Sequence, residues 1–299
     1  MRPLAVALLA ALLATPLRAA PLPYTPSVAE ELVIQAPVLA TRVDGWIEVG
    51  TDGRVAGYEP ITELGEPLRS RLRTMVDGFR FEPVLQDGRP VVARARMRLS
   101  LVAQELPDRS LRVGIENVTF PDPDGAERPA DAPLLKVARR APIHYPEGIA
   151  GAGFDVRVVV AVQANPDGSL RDVSVRQSAL VHGKGREAEV QKLLARFETA
   201  ALRGIARWTL SIDNPTGRPL QADELVGAVV VHFTVENRRE PRPGVWAWET
   251  RTARRDAPWM DQQVAARLPG VGDVTGQDAF DGLREPRLKL QTDLRQLAL

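Results

Sequence analysis

Residue types that commonly do chemistry are rare in this sequence, and their spacing indicates no reaction. The 299 residues include three histidines, His144, His182 and His232, and no cysteine. No histidine has a second candidate ligand at a metal-binding spacing, so we interpret all three as structural or surface histidines. The lack of cysteine excludes disulfides, thiol catalysis and cysteine-ligated zinc.

The carboxylates that lie close together in sequence occupy predicted turns. Asp52 follows Glu48, and Asp167 precedes Asp172, in stretches where aspartate is favoured because its side chain bonds the local backbone. The sequence also lacks a Gly-x-Ser-x-Gly motif, a His-Glu-x-x-His motif and a phosphate-cradling glycine loop. We therefore predict a protein that is not an enzyme, with no catalytic residues, no metal site and no cofactor.

The charge of the chain is nearly balanced. It has 39 Lys and Arg against 38 Asp and Glu, so we predict no nucleic-acid partner. A cationic stripe, Arg94, Arg96 and Arg98, lies on alternate positions of a predicted strand. We interpret the stripe as a solvated outer face that discourages edge-to-edge aggregation, and the alternative is a surface for an acidic partner.

The first 20 residues have the features of a secretory signal peptide. A short positive start precedes an uncharged apolar run from Leu4 to Leu17, and small residues, Ala19 and Ala20, follow it. The run is shorter than the roughly 20 residues that span a bilayer. We therefore prefer export with cleavage over a retained membrane anchor, which stays the alternative.

The clearest pattern of elements runs from residue 145 to residue 235. Apolar residues alternate with period two on both sides of an Asn-Pro-Asp-Gly turn at residues 165–168, which predicts a hairpin with one buried face. Helical spacing follows as far as Trp208, and a second alternating run begins at Val229. The predicted order is strand, strand, helix, strand.

The same order of elements occurs earlier in the chain. A hairpin is predicted around Gly53, then a helix with Pro67 in its first turn and Gly78 at its end, then a long alternating strand from Val91. The two stretches also align motif by motif, which indicates an internal repeat. The aligned pairs are Asp52-Gly53 with Asp167-Gly168, Phe79-Arg80-Phe81 with Arg207-Trp208-Thr209-Leu210, and Gly88-Arg89-Pro90 with Gly217-Arg218-Pro219.

The second stretch resembles the C-terminal domain of the energy transducer TonB, and the first stretch resembles it more loosely. Together they cover about half to two-thirds of the chain that follows the predicted signal peptide. No single motif is specific to that family, but the set of motifs in this order is. The motifs of the second stretch are Tyr145-Pro146, the hairpin from Asp167 to Val173, Ala200-Ala201-Leu202, Arg207-Trp208 and Gly217-Arg218-Pro219-Leu220.

The resemblance implies an α+β fold of two small periplasmic modules, each an antiparallel sheet with a helix packed on one face. In that family, a short segment of an outer-membrane transporter adds itself as a strand beside the last strand of the sheet. The unpaired N–H and C=O groups of an edge strand supply the affinity of such binding. By position, the protein-binding edge strand here comprises Val229, Val230, Val231, His232, Phe233, Thr234 and Val235.

The resemblance also implies the partner, a TonB-dependent outer-membrane transporter or another periplasmic protein. Unlike TonB itself, this sequence has a cleavable type of signal and no long proline-rich arm. We therefore expect a non-catalytic binding module, accessory to transmembrane transport, rather than a force transducer. The alternative is a structural or self-associating protein, such as a homodimer, whose sheet edges are occupied and which has no role in transport.

The tail after the second stretch is basic and contains Trp246 and Trp248. We predict a wrap or a mobile arm whose tryptophans pack back on the domain; the alternatives are a membrane interface and a peptide grip. The predicted organisation is a signal peptide (1–20), an extended lead-in (21–42), a degenerate module (43–120), a linker (121–142), a second module (143–237) and the tail (238–299).

Overall fold

The fold is α+β, as predicted, and the computed structural model describes residues 32–121, 132–181, 185–234, 242–273, 280–282 and 288–294. The helices are α1 (Glu66–Asp77), α2 (Glu187–Ile205) and α3 (Gln262–Arg267), with short 3-10 helices at Ala150–Ala152 and Ala222–Leu225. The strands are β1 (Val38–Val49), β2 (Val55–Pro60), β3 (Leu85–Gln86), β4 (Arg89–Pro90), β5 (Ala93–Glu105), β6 (Leu111–Thr119), β7 (Leu134–Arg139), β8 (Asp155–Ala164), β9 (Leu170–Val181), β10 (Thr209–Asp213), β11 (Val226–Phe233), β12 (Ala247–Arg251) and β13 (Phe280–Gly282).

One nine-stranded antiparallel sheet contains strands from both halves of the chain. Its order is β13, β11, β8, β9, β12, β1, β5, β6, and β2 also pairs with β1. The central strand is β12, which pairs with β9 over residues 249–251 and with β1 over residues 247–249. A strand of the C-terminal tail therefore joins the two halves into a continuous sheet.

The first half of the sheet is covered by α1. Pro67 stands in the first turn of this helix and Gly78 closes its C-terminus, as the sequence predicts. Its two fully buried residues, Leu72 and Val76, belong to one apolar cluster with Ile47 of β1 and with residues of β5. This half therefore has a helix-on-sheet core, to which Leu288 of the tail also belongs.

The second half is covered by α2. The predicted apolar stripe of this helix is buried and packs on the alternating valines of β8, β9 and β11; its members are Val190, Leu194, Phe197, Ala201 and Ile205. Trp208, just after the helix, is 5% exposed and belongs to the same cluster. The helix and the strands thus pack into one core, because the period of 3.6 in α2 and the period of two in the strands each place the apolar residues on one face.

A short extended segment, residues 141–145, crosses the end of α2. The indole Nε1 of Trp208 donates to the Ala141 carbonyl at 2.9 Å, and the Tyr145 ring stands edge-on to Phe197 at 5.0 Å. Gly204 of α2 faces this segment, where a Cβ would lie 2.5 Å from Cγ1 of Ile143. The close crossing therefore depends on the absence of a side chain at Gly204.

The turn glycine of each predicted hairpin lies close to the segment that follows the next helix. Gly53 has φ +76° and accepts a backbone hydrogen bond from Phe81 at 2.9 Å. Gly168 has φ +82°, and a Cβ there would lie 3.0 Å from Cα of Ser211. The recurrence of a left-handed turn glycine against the post-helix segment supports the internal repeat.

Several segments differ from the sequence-based predictions. The predicted linker 121–142 contains β7, which pairs antiparallel with β10. The tail after residue 238, predicted as a wrap or a mobile arm, contributes β12, α3 and β13. The strands β7, β12 and β13 were missed because each is short and pairs with a strand that is distant in sequence.

The predicted signal peptide, residues 1–20, lies outside the described residues. Within the part of the chain that the structure describes, no helix combines the length and the apolar character needed to cross a membrane.

The Arg94 and Arg98 side chains of the cationic stripe have cross-strand partners. Arg98 Nε donates to an Asp44 carboxylate oxygen at 2.7 Å, in a pair that is about five-sixths buried. The guanidinium of Arg94 lies 4.9 Å from the Trp46 ring centroid and near Glu59. These contacts favour the interpretation of the stripe as an ordinary outer strand face over that of a surface for an acidic partner.

Candidate functional site

The predicted edge strand is β11, together with the residues just after it. Val229, Val230, Val231, His232 and Phe233 lie in β11, Thr234 follows its end, and Val235 lies outside the described residues. Every β11 residue from 226 to 233 except His232 is buried. The side chains of β11 therefore serve the fold, and what this strand can present to a partner is its backbone.

The two faces of β11 are buried against different parts of the molecule. Val229, Val231 and Phe233 pack into the core under α2, and the Phe233 ring lies 5.0 Å from that of Phe197. Residues on the other face, such as Ala228, belong to a smaller cluster with α3 of the tail. Both faces are fixed, so a strand added beside β11 would find a rigid template.

On one side β11 pairs with β8 along its whole length, from Val226 to Phe233. On its other side it pairs with β13, the chain's own C-terminal strand. That register joins residues 227–229 of β11 to residues 280–282. Among the described residues, the predicted docking edge therefore already accepts an antiparallel strand at residues 227–229.

Among the described residues, the corresponding edge in the first half is paired over a longer stretch. β5 stands in the position of β11, because each is the last strand of its predicted repeat and pairs with the first. β6 pairs with β5 over residues 98–105, with one bulge after Ser100. Within the described residues β6 ends the sheet, so its outer side is the second edge that strand addition could use.

Sequence reasoning missed an ionic cluster on the sheet face opposite the two large helices. At its centre is Glu249 of β12, whose carboxylate accepts from Arg251 Nε at 2.8 Å and lies 3.5 Å from Arg157 Nη1. Arg251 also donates from Nη1 to Glu116 of β6 at 2.6 Å. The cluster therefore ties strands of both halves to β12.

Charge and burial oppose each other at Glu249. Burial by itself raises the pKa of this carboxyl, but three neighbouring guanidinium groups, led by that of Arg251, outweigh burial and hold the pKa below its ordinary value. Burial likewise lowers the pKa of Arg251, and the carboxylates of Glu249 and Glu116 raise it above its ordinary value. Both groups are therefore charged near neutral pH, and each depends on the other.

A second polar cluster holds the tail against β9 and α2. Glu198, in the buried half of α2, accepts from Ser178 Oγ at 2.5 Å and from Arg255 at 2.6 Å. Arg176 donates to the Ala265 carbonyl at 2.6 Å and pairs with Asp256. Glu198 lies among the apolar residues of a helix, and this position in the sequence could have indicated a buried partner of opposite charge.

The described residues contain no group of three or more His, Asp or Glu side chains that could hold a metal ion. Chemically, the arrangement offers two backbone edges and a set of buried ion pairs. In comparisons with known proteins, no family model, no curated protein and no solved structure matches this chain.

Proposed function

We propose that this protein is a non-catalytic periplasmic binding module, similar to the C-terminal domain of TonB, that binds a peptide segment or another protein by strand addition. Its partner is a TonB-dependent outer-membrane transporter or another periplasmic protein, and the module is an accessory to transmembrane transport. The observation that supports this proposal most is the packing of both faces of β11, which holds its backbone in place on a side where an antiparallel strand already lies at residues 227–229.

The physical basis of the proposal is the backbone of β11. An edge strand offers N–H and C=O groups in a fixed spacing, and a partner segment can satisfy them without a specific side chain. Both faces of β11 are packed, so the strand would not have to become ordered on binding. Binding here would extend or replace the three-residue pairing made by β13.

Pull-down of outer-membrane proteins with the purified protein tests the proposal, with Val230→Pro and Val231→Pro as matched variants. Successive residues of a strand direct their N–H groups to opposite sides, so one proline removes a bond to β8 and the other removes an outward N–H. We expect the wild type to recover a transporter or its plug segment. The variant that loses the outward N–H should abolish recovery. Its thermal midpoint should stay closer to that of the wild type than the midpoint of the variant that loses a bond to β8.

Two results would contradict strand addition at β11. One is the recovery of no transporter and no plug segment by the wild type. The other is unchanged recovery by both proline variants when both are folded by circular dichroism.

The structural alternative is favoured by one specific observation: the chain supplies its own strand to the outer side of β5 and to part of the outer side of β11. Amide hydrogen exchange over residues 226–234, together with the solution mass, distinguishes the two functions. Strong protection of this edge in the isolated protein, or a dimer that buries it, favours the structural function. Fast exchange beyond residue 229 in a monomer favours binding.

A further inference from the structure

The last described segment of the chain, residues 288–294, lies as a short strand against the segment that follows α1. Leu290 pairs antiparallel with Phe81, and two backbone hydrogen bonds flank this pair. They run from the N–H of Glu82 to the carbonyl of Lys289 at 2.9 Å and from the N–H of Gln291 to the carbonyl of Arg80 at 2.8 Å. The chain thus adds its own tail segment, residues 288–294, to the backbone of residues 80–82.

The side chains of the tail segment alternate between the core and the solvent. Leu288 is 1% exposed, Leu290 and Leu294 are partly buried, and all three belong to the apolar cluster of the first half. The residues between them are exposed: Lys289, Gln291 and Asp293. Backbone pairing together with alternate buried side chains is how proteins bind an extended peptide, because the first gives affinity and the second gives selectivity.

Aromatic rings make the place of Leu290 apolar. Phe81 is 2% exposed, and its ring stands edge-on to that of Phe79 at 6.4 Å and to that of Phe120 at 5.7 Å. The hydrogen bonds flank the pair of Phe81 and Leu290, and paired residues of this kind bring their side chains close together. The backbone of residues 80–82 and the rings of Phe81 and Phe120 therefore form a groove that suits a large apolar side chain.

The equivalent place in the second half is filled by a longer strand. There the segment after α2 is β10, which pairs with β7 at five residues, 209–213. Among the described residues, the tail segment is held by one bridged pair and by a bond from the Arg80 N–H to Thr292 Oγ1 at 2.8 Å. A strand with fewer backbone bonds opens at a lower cost in free energy, so the tail segment leaves its place more readily than β7 does.

We propose that this groove binds an extended segment of a partner protein that has large apolar residues at alternate positions, and that the tail segment fills the groove until the partner replaces it. The tail segment itself shows which chemistry fits, since its leucines at positions 288 and 290 point into the core. Its attachment to the same chain gives it a high effective concentration, which lowers the apparent affinity for any partner. The groove is not part of the β11 edge, so this inference does not rest on the function proposed above.

Fluorescence anisotropy of a labelled peptide with the sequence of residues 288–294, titrated with the full chain, tests the groove. The matched protein variants are Leu288→Ala, which weakens the hold of the tail segment, and Gln291→Ala, which shortens an exposed side chain of the same segment. We expect Leu288→Ala to bind the peptide about thirtyfold more tightly than the wild type, because truncation of a buried leucine releases the competing segment. Gln291→Ala should bind it as the wild type does.

A second measurement uses the wild type alone and so does not depend on how a variant folds. Saturating peptide should speed amide hydrogen exchange at Gln291, whose N–H is released from Arg80 when the tail segment is replaced. Unchanged exchange at this amide would overturn the proposal.

The control peptide has the same composition but exchanges Leu288 with Lys289 and Leu290 with Gln291. This exchange moves two leucines to the solvent face of the strand, so binding should weaken at least about tenfold. Equal affinity for the two peptides, or equal affinity of Leu288→Ala and the wild type, would contradict the proposal. A dimer that the peptide dissociates, measured as the solution mass, would also overturn it, because the occupant would then be the tail segment of a second copy.

Discussion

At the scale of single residues, Glu249 shows how much of the tail's position depends on charge. Its carboxylate is buried between Arg251 and Arg157. Glu249→Gln keeps the shape of the side chain but leaves those guanidiniums with one buried counter-charge fewer. We expect a loss of roughly 3–5 kcal/mol of unfolding free energy at pH 7, measured by urea denaturation. Glu105→Gln, at an exposed position on β5, is the control and should change little.

The same carboxylate makes stability depend on pH in a defined direction. Its folded pKa lies below the ordinary value of 4.5, so the folded state binds fewer protons at this site than the unfolded state. The contribution is therefore complete above pH 4.5 and is lost as the pH falls through the folded pKa. Wild-type stability should fall more steeply than that of Glu249→Gln below this pH, and parallel curves would contradict the assignment.

Gly53 permits a further prediction, for which Gly88 of the same chain is the control. At Gly53, φ is +76° and a Cβ would lie 2.2 Å from the Phe81 carbonyl oxygen. At Gly88, φ is +75° and no atom lies within 4 Å of a Cβ. Gly88→Ala should lose about 1 kcal/mol for the left-handed backbone, and Gly53→Ala should lose about 1–3 kcal/mol more because the carbonyl must move. Equal losses in urea denaturation would show that the hairpin contact is not tight.

The residues whose structural role could be predicted from the sequence are those whose role follows from the residues next to them. Gly53 and Gly168 follow Asp between alternating runs, which is a local reason for a turn. Arg157 and Glu249 could not be paired in the same way, because a charged residue within a strand does not specify a partner far away in the chain.

At the scale of elements, the crossing of residues 141–145 over α2 depends on Gly204. Alanine favours helix by about 1 kcal/mol over glycine, but here its Cβ would lie 2.5 Å from Ile143 Cγ1. We expect Gly204→Ala to be destabilising, because overpacking of this kind costs about 1–3 kcal/mol.

A double-mutant cycle with Ile143→Ala tests this crossing. Removing the clashing methyl groups should reduce the loss from Gly204→Ala, with a coupling of about 1 kcal/mol between the two sites. Additive losses in urea denaturation would show that the segment and the helix do not share this contact.

A helix or strand could be predicted from the sequence when its own residues contain the complete apolar periodicity. The stripe of α2 and the valine alternation of β8 and β11 are complete within one stretch of sequence. β12 has five residues and β13 has three, and neither has a periodicity that distinguishes strand from loop. Their role comes from the strands beside them, which no local pattern specifies.

At the scale of the whole molecule, the α+β class followed from the alternation of strands and helices, but the fusion of two sheets into one did not. The join rests on β12, so we predict that a chain ending at residue 241 loses cooperativity. It should unfold in two transitions where the full chain unfolds in one.

The tryptophans allow these transitions to be separated. Trp46 lies in the first half and Trp208 in the second, and the other three lie in the removed tail at positions 246, 248 and 259. In the shortened chain, Trp46→Phe and Trp208→Phe each leave one fluorescent reporter. Coincident urea midpoints for the two reporters would contradict the coupling role of β12.

The place of β12 in the sheet also has a consequence for how the chain folds. Leu39 pairs with Trp248, so the sheet cannot close until two segments about 200 residues apart have met. Pairing between such distant residues is slow, because a very large loop must close first. During that delay β1 and β9 expose the very backbone groups that β12 will later cover, and newly made chains can pair with one another there. Refolding yield of this protein should therefore fall as the chain concentration rises, because unfolded chains compete for each other's strand edges.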